Sequence, residues 1–420
     1  NKGAVVGGIV IMCLLLFAIA APFFTPFTPA YYDMVYSYVT PKSKLFVDKG
    51  IDFWDGCKTK KTNYLGYIKD VAIAQETGRD VIKRGEYTVS EDSASYFYRY
   101  DTYYGVGFGK YKIISQEEFD KIQAYQNETG RQVIYPVVKS TDRPTLEKNK
   151  YDANIYYKME DPKASTVRPK LDSDGKIIPN YWKYSKDDAS SLIPEYNSLR
   201  IEGENGIVEN GTTYYYAYGR KVDGGIEVRA EYYEYYIYSH TQVKKDGIEE
   251  PLFIFGTTET GKDIFACLSY GARFSFVLFI SFFMTGWIGI AGTTRMQFYR
   301  FKNQEYVLAA RTLGARDSRI MFKHIFPNGL GTIVTSIALV IPSMIYSETN
   351  LSYLGIINLE AGKTTSVGTL IAAGQKSIMA GAAYVALFPC LFLVLLMLSF
   401  NLFGNGLRDA LNPSLRGSED

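Results

Sequence analysis

The sequence predicts a polytopic α-helical membrane protein with a large α+β domain inserted outside the membrane. Three features support this: apolar segments without any charged residue, a basic connection between two of them, and a long polar region after the first. The apolar segments are residues 5–24, 274–292, 329–347 and 380–403. Each is close to the ~20 residues that cross a bilayer core. Four buried helices of a soluble protein, none with a charged face, are a poorer explanation.

The basic connection fixes the orientation of the chain. Residues 293–328 are rich in Lys and Arg and contain only two acidic residues, Glu305 and Asp317. By the positive-inside rule this loop is cytoplasmic. Residues 25–273 and 348–379 then lie outside, and both chain ends lie inside.

These boundaries predict three parts. A first transmembrane helix occupies residues 1–30, an extracytoplasmic domain 31–255, and a membrane core 256–420 that contains the loop 293–328. A cleaved signal peptide is an alternative for the first helix, because Ala18, Ala20 and Ala21 are small. Only Cys57 lies well inside the exported region, which excludes a disulfide framework there. The formal net charge of +2 gives no indication of nucleic-acid binding.

The polar region mixes helix and strand signals. Ser115 and Glu118 form a capping box before a helix that ends at Gly130. Residues 212–219 and 226–239 have the tyrosine and β-branched composition of strands. Most of the 36 tyrosines lie in this region, and either half-buried strands or a ligand-binding surface would explain them. Residues 140–190 are expected to form a long exposed loop.

A short internal repeat occurs in the same region. Residues 72–82 (AIAQETGRDVI) and 124–134 (AYQNETGRQVI) are similar, and each has a glycine where a helix would stop before a strand. This predicts a duplicated helix–turn–strand unit, although two copies of eleven residues can also arise by chance.

The cytoplasmic segment 305–328 (EYVLAARTLGARDSRIMFKHIFPN) has the pattern of two short helices joined at Gly314. We expect Asp317 or Ser318 to cap the second helix, and Pro327 to mark a turn into the next span. Such a bend, fixed to a membrane helix, could transmit a push from a soluble partner. An amphipathic helix lying on the lipid surface is the alternative interpretation.

The pattern E-x3-A-A-x3-G followed by I-x2-K-H-I-x-P-N resembles the cytoplasmic loop of ABC importer permeases, which docks into a groove of the ATPase subunit. The resemblance implies docking roles for signature and supporting positions, namely Glu305, Ala309, Ala310, Gly314, Asp317, His324 and Pro327. It also implies that the small Ala309 and Ala310 let the ATPase backbone approach closely.

Four further strings resemble the second permease subunit of bacterial oligopeptide and dipeptide importers. They are residues 21–29, 256–275, 347–356 and 386–413, the last ending in FNLFGNGLRDALNP. This resemblance implies the ABC type I importer permease fold for the membrane portion. It does not extend to residues 31–250.

The resemblance implies a multi-pass transport subunit in the bacterial cell membrane that is not an enzyme. Its implied partners are a homologous permease subunit, two ATPase subunits, an extracellular substrate-binding lipoprotein, membrane lipid and a peptide substrate. ATP and Mg would bind the ATPases, so we expect no cofactor on this chain. Nickel chelates, opines or glycans are alternative cargoes, and an anchored surface-binding module is an alternative function. The string GTTETGKD at 256–263 approaches a phosphate-binding loop, but Asp263 replaces the hydroxyl residue that ligates magnesium.

The sequence departs from the family in length. Arg273 and Trp287 lie close together where the family has two more spans, so we expect two spans to be missing between 273 and 287. The start at Asn1, without a methionine, fits the same expectation. For the insert we hypothesise a scaffold that contacts the substrate-binding protein or covers the pore mouth.

Overall fold

The structure of the protein is a computed structural model. It describes residues 2–47, 51–84, 96–106, 110–136, 169–179, 181, 183–187, 206–354 and 365–411. Its contacts divide the chain into two compact units. The core unit comprises residues 1–38 and 253–420, and the inserted unit comprises residues 39–252. Most of the loop expected at 140–190 lies outside the described residues.

The helices of the described residues are, in chain order, α1 (Lys2–Ala20), α2 (Lys44–Val47), α3 (Tyr64–Thr77), α4 (Gln116–Thr129), α5 (Tyr232–Tyr238), α6 (Ile264–Lys302), α7 (Glu305–Thr312), α8 (Asp317–Arg319), α9 (Phe326–Tyr353), α10 (Val367–Met379) and α11 (Tyr384–Leu411). Two π-helical segments accompany them, Ser239–Lys244 after α5 and Ile320–Ile325 between α8 and α9. Short 3-10 turns are formed by Ala21–Phe23, Met34–Tyr36 and Asp52–Trp54.

The strands all belong to the inserted unit, as far as the described residues extend: β1 (Cys57–Thr62), β2 (Ile82–Arg84), β3 (Tyr96–Asp101), β4 (Lys110–Ile114), β5 (Ile134–Tyr135), β6 (Lys183–Tyr184), β7 (Ile207–Glu209), β8 (Thr212–Tyr216), β9 (Arg220–Val222) and β10 (Gly225–Ala230). They form three sheets, ordered β1-β3-β2, β4-β10-β5 with β9 also on β10, and β6-β8-β7. Every pairing in them is antiparallel.

Helix α11 is central to the core unit, because it packs against α1, α9 and α10. Two of its glycines lie where neighbouring helices approach most closely. A Cβ on Gly404 would lie 2.7 Å from the side chain of Ala338 on α9, and a Cβ on Gly406 would overlap Ala4 on α1. Small residues at such contacts let helix backbones approach closely. The packing therefore explains why the C-terminal string contains glycines at these two places.

The end of α1 and the start of α6 are joined by polar contacts. The Arg273 side chain on α6 donates hydrogen bonds to the carbonyl oxygens of Ala18 (2.6 Å) and Ile19 in the last turn of α1. Asp263 caps α6, and its carboxylate also accepts a hydrogen bond from the Thr25 hydroxyl (3.1 Å). Carbonyl groups in the last turn of a helix have no partner in their own helix, so the two Arg273 hydrogen bonds satisfy those at the end of α1. The segments 21–29 and 256–275, which carry the family resemblance, therefore lie against each other.

Two helical stretches of the described chain, Lys2–Phe23 and Tyr384–Ala410, are long and apolar enough to cross a membrane. Several large apolar side chains on them are exposed, including Ile9, Met12 and Leu398. The other two expected spans lie within α6 and α9, where some side chains are outside the description. A multi-pass arrangement therefore stays a prediction.

Helix α6 runs without interruption through the place where two spans are expected to be missing. It has 39 residues and is about 58 Å long at 1.5 Å per residue, nearly twice the ~30 Å of a bilayer core. The prediction of missing spans between 273 and 287 is untested by this continuity.

The inserted unit confirms the internal repeat and extends it. Helices α3 and α4 each have 14 residues, and each starts at a residue whose side chain accepts a backbone N–H, Asn63 and Ser115. Each ends at a glycine in the left-handed conformation, Gly78 (φ 65°) and Gly130 (φ 68°). In chain order α3 lies between β1 and β2, and α4 lies between β4 and β5. In each sheet these two strands flank a central strand, which is β3 in the first copy and β10 in the second. Each copy is therefore a split β-α-β module.

The central strands, β3 and β10, also correspond. Each carries an arginine two residues before a buried acid, Arg99 before Asp101 and Arg229 before Glu231. The backbone N–H of each acid donates to the carbonyl oxygen of an equivalent valine. Asp101 donates to Val81 O (2.9 Å), and Glu231 donates to Val133 O (3.0 Å). This part of the repeat cannot be seen as a tandem pattern, because β10 lies far along the chain from β5.

An ion cluster joins the two modules. Arg79 and Arg131 follow the two helix-ending glycines, and both guanidinium groups contact Glu234. Arg79 also pairs with Glu231 at 3.0 Å. Burial raises the pKa of Glu231 to about 7, and Arg79 opposes that rise. Equivalent residues of the two copies thus meet at one carboxylate, Glu234 of α5.

The strand predicted at 226–239 is correct only as far as Ala230. The tyrosine-rich remainder forms helix α5, because the Glu231 carboxylate accepts the N–H of Glu234 (3.1 Å) and starts a helix there. Burial of Tyr232 and Tyr236 on one side of that helix outweighs the β-propensity of tyrosine. The strand predicted at 212–219 is confirmed as far as Tyr216, where β8 ends.

The cap of α4 is confirmed in part. The Ser115 hydroxyl accepts the N–H of Glu118 (3.1 Å), and Gly130 ends the helix as expected. The Glu118 carboxylate accepts a hydrogen bond from the Tyr235 hydroxyl (3.0 Å) on α5. Tyrosines also fill the module cores, where Tyr98 and Tyr238 are buried, as the half-buried-strand interpretation expects.

We expect Gly7→Ala to lower the stability of the core unit. The added Cβ would lie 2.5 Å from the Ser399 carbonyl oxygen on α11, so the helices must separate, at a cost of about 1–3 kcal/mol. Thermal unfolding of the detergent-solubilised chain measures the effect. The neighbouring Gly8→Ala is the matched control, because its Cβ would sit at an ordinary 3.5 Å from the Phe403 ring. Equal midpoints for the two variants would contradict the packing described.

Candidate functional site

The segment from Glu305 to Ile325 forms a bend that we call the elbow. Helix α7 runs to Thr312, the chain reverses at Gly314, and α8 begins at Asp317. From Asp317 the helical path continues through the π-helical segment into α9 without a break. The elbow is therefore continuous with a long helix of the core unit.

Gly314 is the residue that permits the bend. Its φ of +75° lies in the left-handed region that side chains disfavour. Two backbone hydrogen bonds close the turn, from the N–H of Gly314 to Arg311 O (2.9 Å) and from the N–H of Ala315 to Ala310 O (3.1 Å). This is the Schellman pattern of helix termination. A Cβ at Gly314 would meet nothing within 4 Å, so the requirement for glycine is conformational.

A small apolar core holds the two arms of the elbow together. Val307, Ile320 and Ile325 are buried against one another, and Phe298 and Phe301 of α6 pack on them. Two hydrogen bonds from one side chain lie beside this core. The Asn328 side-chain amide donates to the Tyr306 hydroxyl (3.1 Å) and to the His324 carbonyl oxygen (2.8 Å).

The opposite side of α7 is exposed. Glu305 and Ala309 lie one turn apart on this side, about half a helix turn around from the buried Val307. Leu308 is 47% exposed and Leu313 is 88% exposed. We define Glu305, Leu308, Ala309 and Leu313 as the outer face of the elbow, since neighbouring exposed apolar side chains can mark a contact surface.

The predicted docking residues are divided between several places. Glu305 and Ala309 belong to the outer face, and Gly314 forms the bend. Ala310 packs on the apolar core instead, so its small size serves the closeness of the two arms. His324 lies partly buried in the π-helical segment. The docking roles of all these residues stay predictions.

Two expectations about the second arm are wrong. The capping residue of α8 is Arg316, with extended backbone and no side-chain cap, and Asp317 is the first helical residue. An acid there still complements the helix dipole. Pro327 does not mark a turn, because it lies in the first turn of α9 on an unbroken helical path. A π-helical segment precedes Pro327, and the helical path continues although proline has no N–H to donate.

Sequence reasoning also missed the Tyr306–Asn328 hydrogen bond. Both residues are polar or aromatic positions within the segment, but their spacing of 22 residues gives no periodic signal. Only the reversal at Gly314 brings them together.

Two segments of the chain match families of known proteins. Residues 251–417 match the family described as binding-protein-dependent transport system inner membrane component. Residues 1–41 match the N-terminal TM domain of oligopeptide transport permease C. The chain carries the permease domain of this family. The resemblance to the second permease subunit of peptide importers is thereby confirmed, and the matched ranges flank the inserted unit.

Three relatives illustrate the similarity of the permease domain. The oligopeptide transport permease OppC of Bacillus subtilis is 43% identical over 141 residues, 34% of this chain and 45% of the relative. The dipeptide permease DppC of the same organism is 39% identical over 139 residues, which are 33% of this chain and 43% of the relative. The glutathione permease GsiD of Salmonella paratyphi A is 39% identical over 116 residues, which are 28% of this chain and 37% of the relative. The chain thus spans less than half the length of each relative.

We expect Gly314→Ala to loosen the permease domain's elbow. A Cβ at φ +75° costs about 1 kcal/mol, which should speed hydrogen exchange of the Ala315 amide about fivefold. Gly292→Ala is the matched control, because its Cβ also meets nothing within 4 Å but its backbone is helical. Hydrogen exchange read by mass spectrometry measures both. A similar change at the elbow in both variants would show that the left-handed turn is not the cause.

Proposed function

We propose that the chain is a permease subunit of an ATP-driven peptide importer in the bacterial cell membrane. It forms one half of the translocation pore together with a homologous permease subunit. Two ATPase subunits, which hold ATP and Mg, dock on the cytoplasmic loops, and a substrate-binding lipoprotein delivers peptide from outside. The chain itself carries out transport and no chemistry. The permease domain and the naming of its relatives support this proposal.

The observation that carries the proposal is the continuity of the elbow with α9. Its outer face offers exposed apolar side chains, and Leu313 is 88% exposed. Its second arm passes into α9 without a break, so a force applied to the outer face reaches a helix that contacts α6, α10 and α11. This arrangement is suited to rigid-body coupling between a soluble motor and the pore. A helix lying on lipid would need no such continuity.

Peptide is the cargo that the comparisons favour. Two of the relatives described are named for oligopeptides and dipeptides, and a third for glutathione. We therefore place nickel chelates, opines and glycans second. Uptake of labelled di- and oligopeptides, measured against these compounds, distinguishes the cargoes.

We propose that the inserted unit lies outside the membrane and contacts the substrate-binding lipoprotein. The unit leaves and rejoins the core unit at adjacent points, because the rings of Tyr36 and Phe253 are 5.9 Å apart. The Tyr38 N–H also donates to Thr258 O (3.1 Å). An insertion with such close ends leaves the core unit's own packing intact, so it is free to serve a separate contact.

Leu313→Asp should weaken assembly with the ATPase subunits. A charge on the outer face removes the apolar contact of a leucine, about 2 kcal/mol, and weakens docking more than tenfold. Co-purification of the ATPases with the tagged chain measures this. Met379→Asp is the control, because Met379 is 94% exposed at the end of α10. If the unaltered chain purifies without ATPases, the anchored surface-binding module is the better interpretation.

Replacing residues 40–251 by a short Gly/Ser linker should leave the core unit folded, because its ends already meet near Tyr36 and Phe253. We expect ATPase co-purification to persist while binding of the lipoprotein and peptide uptake are lost. Surface plasmon resonance with the purified lipoprotein and uptake in membrane vesicles provide the two measurements. Undiminished lipoprotein binding and uptake would remove the proposed role of the insert.

A further inference from the structure

A cleft of about 340 Å³ lies on the inner side of the elbow. One wall is the C-terminal part of α6, and the other is formed by the end of α7 with α8 and the π-helical segment. It is separate from the outer face, because Arg311 in the cleft lies one turn after the buried Val307, on the opposite side of α7 from Glu305 and Ala309. The cleft and the outer face are therefore different surfaces of the elbow.

The lining of the cleft carries an excess of positive charge. Arg295 and Lys302 come from α6 and Arg311 from α7, against a single carboxylate, Asp317. These four side chains thus carry a formal net charge of +2. Within the described part of the chain none of the three cations forms an ion pair with a carboxylate. Such a cluster favours an anion with several acceptor oxygens, which phosphate provides.

Apolar side chains also line the cleft. They are those of Phe298, Ile320, Met321 and Ile325. A free inorganic anion makes no use of apolar side chains, whereas the glycerol backbone and first acyl carbons of a phospholipid do. The volume is near the lower end of ligand cavities, which suits a headgroup region and not a whole lipid.

An exposed apolar side chain lies two helical turns before the cleft. Ile288 precedes Arg295 by seven residues and therefore lies on the same side of α6. Ile288 is 68% exposed, and Gly292 between them has nothing near its Cβ position. This side of α6 therefore leaves room for an acyl chain whose phosphate lies in the cleft. Basic pockets at the cytoplasmic ends of membrane helices are suited to anionic headgroups.

We propose that this cleft binds one anionic phospholipid of the cytoplasmic leaflet, with its phosphate held by Arg295, Lys302 and Arg311. The inference rests on the membrane orientation in the proposed function. It adds a lipid ligand that lies between α6 and the elbow and links the two. Zwitterionic lipids bind less well, because their ammonium group meets the same cations.

The test uses the full chain co-expressed with its partner subunits and purified in detergent. Native mass spectrometry measures retention of added phosphatidylglycerol, with phosphatidylcholine and inorganic phosphate as the other probes. The cleft variant is R295Q/K302Q/R311Q. Its matched control is R300Q/R316Q/R319Q, which removes the same charge from the same loop outside the cleft. Asp317→Asn is a third variant, which raises the positive charge of the cleft.

We expect one phosphatidylglycerol retained per chain, at least tenfold less retained by the cleft variant, no loss in the control, and stronger retention by Asp317→Asn. Equal loss in the cleft and control variants would overturn the proposal in favour of a diffuse charge effect. Phosphate binding without lipid retention would also overturn it, as would unchanged phosphatidylglycerol retention by the cleft variant. ATPase co-purification is recorded in the same samples. Its absence alongside specific lipid retention would count against the proposed function and not against the cleft.

Discussion

The account depends on one backbone constraint, the left-handed turn at Gly314. Two hydrogen bonds to Ala310 O and Arg311 O close it, and no side chain blocks it, so the geometry is set by the peptide backbone. This turn folds α7 back onto the start of the next helix and creates the buried cluster of Val307, Ile320 and Ile325. It also creates two different surfaces. The outer face exposes Leu308 and Leu313 beside Glu305, and the inner side is a basic cleft against α6.

The core unit and the inserted unit rely on different kinds of packing. In the core unit, glycines such as Gly404 and Gly406 let long helices approach closely, which is the main source of specificity between apolar helices. In the inserted unit, two split β-α-β modules have their own apolar cores and are joined by a buried ion cluster at Glu234. A duplicated module of this kind can be inserted into a permease without disturbing its helices, because its two connections to the core unit are adjacent.

Local signals in the sequence predicted much of this structure. The glycines at 78, 130 and 314 have positive φ as expected, because only glycine adopts that conformation without cost. The helix of residues 232–238 was not predicted, since tyrosine favours strands and the capping role of Glu231 depends on its position after β10. The unbroken path through Pro327 was also missed, because a π-helical segment has no sequence pattern of its own. Contacts between distant residues, such as Tyr306 with Asn328, follow only from the bend.

Photo-crosslinking from position 313 in the assembled complex tests the central claim most directly. A benzophenone amino acid in place of Leu313 projects from the outer face, where the native side chain is 88% exposed. The account predicts a crosslink to an ATPase subunit, and none to an ATPase from the same label at Met379. Crosslinks from position 313 only to lipid, or to a protein on the external side, would contradict it.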